Sequence, residues 1–98
     1  MNKLINDAKE IILKILDTKE FKIIDIFEYG ENKIEFVIEY EDKMISISVV
    51  NDLSYDFMVL ETEYGEIIYS NTVFMDSINE LPEIIKNDLN NCEGNQWR

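Results

Sequence analysis

The chain has 98 residues, 46% hydrophobic and 11% aromatic, with 21 Asp and Glu against nine Lys and Arg, no His, and a net charge of −12. That size makes one domain able to bury about 60–65% of its unfolded surface, a modest core with little left over to line a large cavity. The apolar content excludes a disordered chain, and the acidity excludes a protein that grips nucleic-acid phosphates or an anionic membrane through basic side chains.

Asn2 to Leu16 carries Leu4, Ile5, Ala8, Ile11, Ile12, Ile15 and Leu16 at three- and four-residue spacing, which predicts an amphipathic helix ending at Asp17-Thr18-Lys19. Asp7 and Glu10 interrupt this segment, and no apolar stretch in it leads to a small-residue cleavage site, so a secretory leader is not expected.

Five strand-like runs follow. Phe21 to Tyr29 alternates imperfectly, with Phe21, Ile23, Phe27 and Tyr29 expected on one face and Asp25 breaking the row. Lys33 to Tyr40 sets Ile34, Phe36, Ile38 and Tyr40 against Glu35, Val37 and Glu39. Met44 to Val50 sets Ile45, Ile47 and Val49 against Met44, Ser46, Ser48 and Val50, and Tyr55 to Thr62 sets Tyr55, Phe57 and Val59 against Asp56, Met58 and Leu60. Glu66 to Ser70 is short. The breaks at Gly30, Glu41-Asp42, Asn51-Asp52 and Tyr64-Gly65 are too brief for parallel crossovers, so the strands form an antiparallel meander.

A second helix is expected over 79–91, with Leu81, Ile84, Ile85 and Leu89 inward. Ser77 and Glu80 have capping-box spacing, but a start there would push Pro82 out of the first turn, so a turn at Ser77 and a start near Asn79 are preferred. The expected architecture is one α+β domain: a helix over 1–17, a five-stranded antiparallel sheet over 21–70, a helix over 79–91 and a polar tail over 92–98, with both helices on one face of the sheet. The other face would present Glu35, Val37, Glu39, Ser46, Ser48, Asp56, Met58 and Leu60. Trp97 in the tail either folds back onto the domain or anchors a partner.

No catalytic or cofactor motif is visible. Cys92 and the serines Ser46, Ser48 and Ser70 have no histidine to activate them. Paired carboxylates such as Glu35 and Glu39 read as a solvated strand face, because nothing in the chain builds a sugar cleft around them. There is no zinc-ligand spacing, calcium loop or glycine-rich phosphate cradle. Neither an enzyme nor a cofactor is therefore expected. The lone Cys92 allows no internal disulfide, no run approaches a membrane span, and the cytoplasm is the expected compartment.

Charge is the remaining signal. Between Met44 and Ile85 there is no Lys or Arg, while Asp52, Asp56, Glu61, Glu63, Glu66, Asp76, Glu80 and Glu83 all fall there. Such a field attracts basic surfaces. The expected partner-binding set is Glu35, Glu39, Asp52, Asp56, Glu61, Glu63 and Glu66. In size, acidity, lack of catalytic groups and its closing strand–turn–helix, from Glu66-Ile67-Ile68-Tyr69-Ser70 to Asn79-Glu80-Leu81-Pro82-Glu83-Ile84-Ile85, the chain resembles the small acidic bacterial immunity proteins that neutralise co-encoded toxins. The resemblance implies an inhibitor whose partner is a basic protein, a nuclease toxin. Two alternatives stay open: a phage-encoded DNA mimic that inhibits a host defence nuclease, and a non-inhibitory homodimeric module joined through the open sheet face or an edge strand.

Overall fold

The spacing of apolar residues in the first segment produces helix α1, Lys3–Ile15, which buries Ile5, Ala8 and Ile12. The structure, a computed structural model, describes residues 3–17 and 20–93. Asn2, Thr18, Lys19 and Trp97, named in the sequence reading, lie outside the described residues.

After α1 come β1, Lys22–Tyr29; β2, Lys33–Tyr40; β3, Lys43–Val50; β4, Ser54–Glu61; and β5, Ile67–Phe74. They form one antiparallel sheet in the order β1-β2-β3-β4-β5. The alternation in β2, β3 and β4 predicts the core: Ile34, Phe36, Ile38, Ile45, Ile47, Val49, Tyr55, Phe57 and Val59 are all buried on one face. Helix α2, Leu81–Glu93, adds Leu81, Ile85 and Leu89 from the same side, and α1 packs against both α2 and the central strands. The fold is α+β, with both helices on one face and the other face uncovered by any described element.

Three expectations change. Strand β1 does not keep Phe21, Ile23, Phe27 and Tyr29 on one face. Its register against β2 shifts between Ile23 and Asp25, so Ile24 is an extra, bulged residue. Strict alternation would drive the Asp25 carboxylate into the core, where burial without a partner is costly. The bulge turns it outward, and its Oδ1 accepts the Ile26 N–H at 2.9 Å. Ile26 then packs inward while Phe27 and Tyr29 emerge on the open face, 42% and 48% exposed.

Second, β5 does not stop at Ser70 but continues to Phe74. The run Ser70-Asn71-Thr72 contains turn-prone Ser and Asn, but it pairs regularly with Met58, Phe57 and Asp56, and the Asn71 amide donates to Asp88 instead of capping a turn.

Third, the capping box and Pro82 coexist. Ser77 caps a short 3₁₀ turn, Ile78–Glu80, with both reciprocal capping-box bonds present, and that turn feeds α2, in which Pro82 is the second residue. The intervening turn lets Ser77 act as a cap while Pro82 still occupies the first α-helical turn, where its missing N–H leaves no bond unmade. Helix α2 also extends through Cys92 and Glu93 rather than ending at Asn91. Ser77→Ala is expected to cost about 1 kcal/mol, read as a lowered denaturation midpoint with an unchanged slope.

The β3–β4 turn has a similar local logic. The Leu53 N–H donates to the Val50 carbonyl at 2.9 Å, and Leu53 sits at φ 72°, a position that favours glycine. Leu53 holds it because its side chain packs against the core, and its own carbonyl accepts the Met75 N–H at 2.9 Å.

Candidate functional site

Antiparallel register sorts the uncovered face into rows. Phe27, Glu35, Ser48, Asp56 and Thr72 lie across one row, and Asp25, Val37, Ser46, Met58 and Ser70 across the next. A third holds Lys22, Glu39, Met44, Leu60 and Ile67. Glu35 and Asp56 are thus two strands apart, about 10 Å, with Ser48 between them.

Both carboxylates are held by neighbouring hydroxyls. Ser46 Oγ donates to Glu35 at 2.9 Å, and Thr72 Oγ1 donates to Asp56 at 2.6 Å. These bonds fix the acids in orientation and leave each with further lone pairs toward solvent. Val37 and Met58, both half-buried, lie in the adjacent row. The result is a pair of oriented carboxylates beside a low apolar ridge, a mixture suited to protein contact. The face is not uniformly acidic: Lys22 and Lys33 stand on its β1–β2 side, with the Lys33 ammonium 5.4 Å from the centre of the Tyr29 ring.

The structure divides the expected contact set. Glu35, Asp56 and Glu39 share the open face. Asp52 lies in the β3–β4 turn, where its Oδ1 accepts the Ser54 N–H at 3.0 Å and the Ser54 hydroxyl at 2.6 Å. The Ser54 hydroxyl bond above all holds its pKa below the ordinary carboxylate value. Asp52 is therefore committed to its own turn. Glu61, Glu63 and Glu66 lie at the opposite end, around the β4–β5 turn.

That end is more acidic than the expected set implies. The Thr62 N–H and hydroxyl both donate to the Asp42 carbonyl, at 3.3 and 2.8 Å, which locks the β2–β3 and β4–β5 turns together. Glu41 and Asp42 thereby join Glu63 in a shared rim. Lys43 pairs with Asp42 at 3.1 Å, and its hydrogen bond is the main reason the Asp42 pKa is lowered. Among the described residues, no cluster of three or more Asp, Glu, Cys or His could hold a metal ion.

The strongest polar cluster lies on the other side of the sheet, and the sequence reading missed it. Asp88 of α2 is buried, and its carboxylate accepts from Tyr55 Oη at 2.7 Å, Tyr69 Oη at 2.6 Å and Asn71 Nδ2 at 3.2 Å. Asn91 Nδ2 donates in turn to Tyr69 Oη at 3.2 Å. The signal was available: Leu81, Ile85 and Asp88 fall on one helical stripe, so the carboxylate had to meet the sheet. Tyrosines on the core face of β4 and β5 needed partners for their hydroxyls. The network ties α2 to the β4–β5 edge of the sheet, with Asp88 and Tyr55 buried and Tyr69, Asn71 and Asn91 half-buried.

An open groove of about 800 Å³ lies beside α1, lined by residues including Asp7, Lys14, Asp17, Ile23 and Ile78. It brings no convergent set of reactive groups together. No described helix is long and apolar enough to cross a membrane. Comparison with protein-family models, with curated proteins and with solved structures finds no match to this chain.

Proposed function

We propose that the protein is an acidic inhibitor that binds and neutralises a basic protein, and that its partner is a nuclease toxin against which it serves as an immunity protein. The observation that carries this reading is the uncovered sheet face, where Glu35 and Asp56 are held by Ser46 and Thr72 beside Val37 and Met58. A nuclease must be basic where it grips its substrate. Oriented carboxylates meet such a surface with little ordering left to do, and the −12 net charge steers the encounter. The apolar ridge supplies the short-range burial that charge alone lacks. The acidic rim of Glu39, Glu41, Asp42, Glu63 and Glu66 extends the field at one end of that face.

The test is capture at low salt from the native host, with the product of the adjacent gene co-expressed as a candidate. A basic protein retained at one-to-one stoichiometry, released by salt and silenced as a nuclease by an equimolar amount of this chain, supports the reading. A captured nuclease that stays fully active at saturation contradicts inhibition.

A further inference from the structure

The two edges of the sheet are built differently. Strand β1 carries Lys22, Asp25 and Glu28 and is broken by the bulge at Ile24. Charges and bulges are the devices that keep an edge strand from pairing with another chain. Strand β5 has neither charge nor proline along its eight residues, Ile67-Ile68-Tyr69-Ser70-Asn71-Thr72-Val73-Phe74, and is the one described strand without Asp, Glu, Lys or Arg. Its single irregularity, at Ile68, lies near its start and leaves Tyr69–Phe74 regular.

The backbone of that stretch is also aimed outward. Met75 N–H donates to the Leu53 carbonyl at 2.9 Å, which makes Leu53 and Met75 a hydrogen-bonded pair of the β4–β5 ladder. Such pairs alternate, so Val73, Asn71 and Tyr69 bond to β4, while Phe74, Thr72 and Ser70 turn their N–H and C=O groups away from the sheet. No described strand lies beyond β5 to receive them. The side chains at its two ends are apolar and open, with Ile67 59% and Phe74 77% exposed.

We propose that β5 pairs antiparallel with β5 of a second copy of this chain, joining two five-stranded sheets into one continuous sheet. Charge selects the occupant. At −12 the chain repels another copy over most of its surface, and β5 is the neutral strip where two copies approach without opposing carboxylates. A twofold pairing centred on Thr72 sets Phe74 of each copy opposite Ser70 of the other, and every outward N–H and C=O from Ser70 to Phe74 finds a partner. The open faces then lie side by side, so each copy keeps its Glu35–Asp56 surface.

Salt separates this inference from the proposed inhibitory function. Screening relieves repulsion between two acidic copies, so self-association strengthens with salt, whereas attraction to a basic partner weakens. Sedimentation of the full chain is expected to show a monomer–dimer equilibrium whose dissociation constant falls at least about threefold as salt rises from about 0.05 to 0.5 M, where the Debye length shrinks severalfold. Amide hydrogen exchange is expected to slow with protein concentration at Ser70, Thr72 and Phe74, and to be slow at every concentration at Tyr69, Asn71 and Val73. Ser70→Pro removes an outward N–H and leaves the β4 ladder intact, so it is expected to keep its circular dichroism and raise the dissociation constant at least about tenfold. A monomer at every concentration and salt overturns the proposal. So does a dimer whose concentration-dependent protection appears in β1 or in the central strands, a readout from the unaltered chain that does not depend on the proline variant folding.

Discussion

Replacing Asp88 with alanine is expected to destabilise the fold by about 2–4 kcal/mol, the cost of removing the acceptor that several hydroxyl and amide donors share. The Tyr55 and Tyr69 hydroxyls and the Asn71 amide would lose their shared acceptor inside the structure. Against a total stability of about 5–15 kcal/mol for a domain of this class, that is a large fraction. Urea denaturation followed by circular dichroism measures it. Asp88→Asn keeps one acceptor oxygen and is expected to lose less than the alanine variant. If Asp88→Ala proves as stable as the parent, the cost of burying the carboxylate equals what its hydrogen bonds return, and the network does not anchor α2.

The second large effect concerns binding. Reversing two charges together, Glu35→Lys with Asp56→Lys, is expected to weaken partner affinity by about 2–5 kcal/mol, roughly 30- to several-thousandfold, because cations would then face a basic surface. Both residues lie on the uncovered face, so the unfolding midpoint is expected to move little. Glu10→Lys with Glu83→Lys supplies the control, since these exposed helix positions give the same net charge far from that face. Titration of each double variant against the captured nuclease by calorimetry measures the difference. Equal losses in the two double variants would assign the effect to overall charge rather than to the Glu35–Asp56 surface.

The fold was legible where alternation was strict. In β2, β3 and β4 alternate residues from Ile34 to Tyr40, Ile45 to Val49 and Tyr55 to Val59 are apolar, a single register turns them to the core face with Tyr40 half-buried at the margin, and the short turns leave no topology but a meander. The reading failed where one residue changed the parity. In β1 the period-two pattern sets Phe27 and Tyr29 on the core face, because nothing in it signals the bulge before Asp25 that turns them to the open one. In β5 the polar run from Ser70 to Thr72 looked like the end of a strand because its pairing partners, Asp56 to Met58, are distant in sequence. At α2 the conflict between Ser77 and Pro82 was real for a continuous α-helix and vanishes with one intervening 3₁₀ turn.

The candidate site was legible in residue type more than in arrangement. Glu35, Glu39 and Asp56 were placed on the open face by strand parity alone. Asp52 looked equivalent, yet its carboxylate is occupied by the Ser54 N–H and hydroxyl, a local bond that charge counting ignores. In the sequence Glu41 and Asp42 are simply turn residues. Their joining to the Glu63 end depends on the Thr62–Asp42 bonds between two different hairpin turns, a long-range contact with no local sequence signature.

The inhibitory reading rests on electrostatic capture by the uncovered face, and the association rate with the captured nuclease as a function of salt tests it most directly. Stopped-flow mixing at about 0.05 and 0.5 M salt is expected to show a rate at least about tenfold lower at the higher value, with the slope flattened by Glu35→Lys and Asp56→Lys. A rate that is independent of salt, or a slope unchanged by those substitutions, would contradict capture through this face.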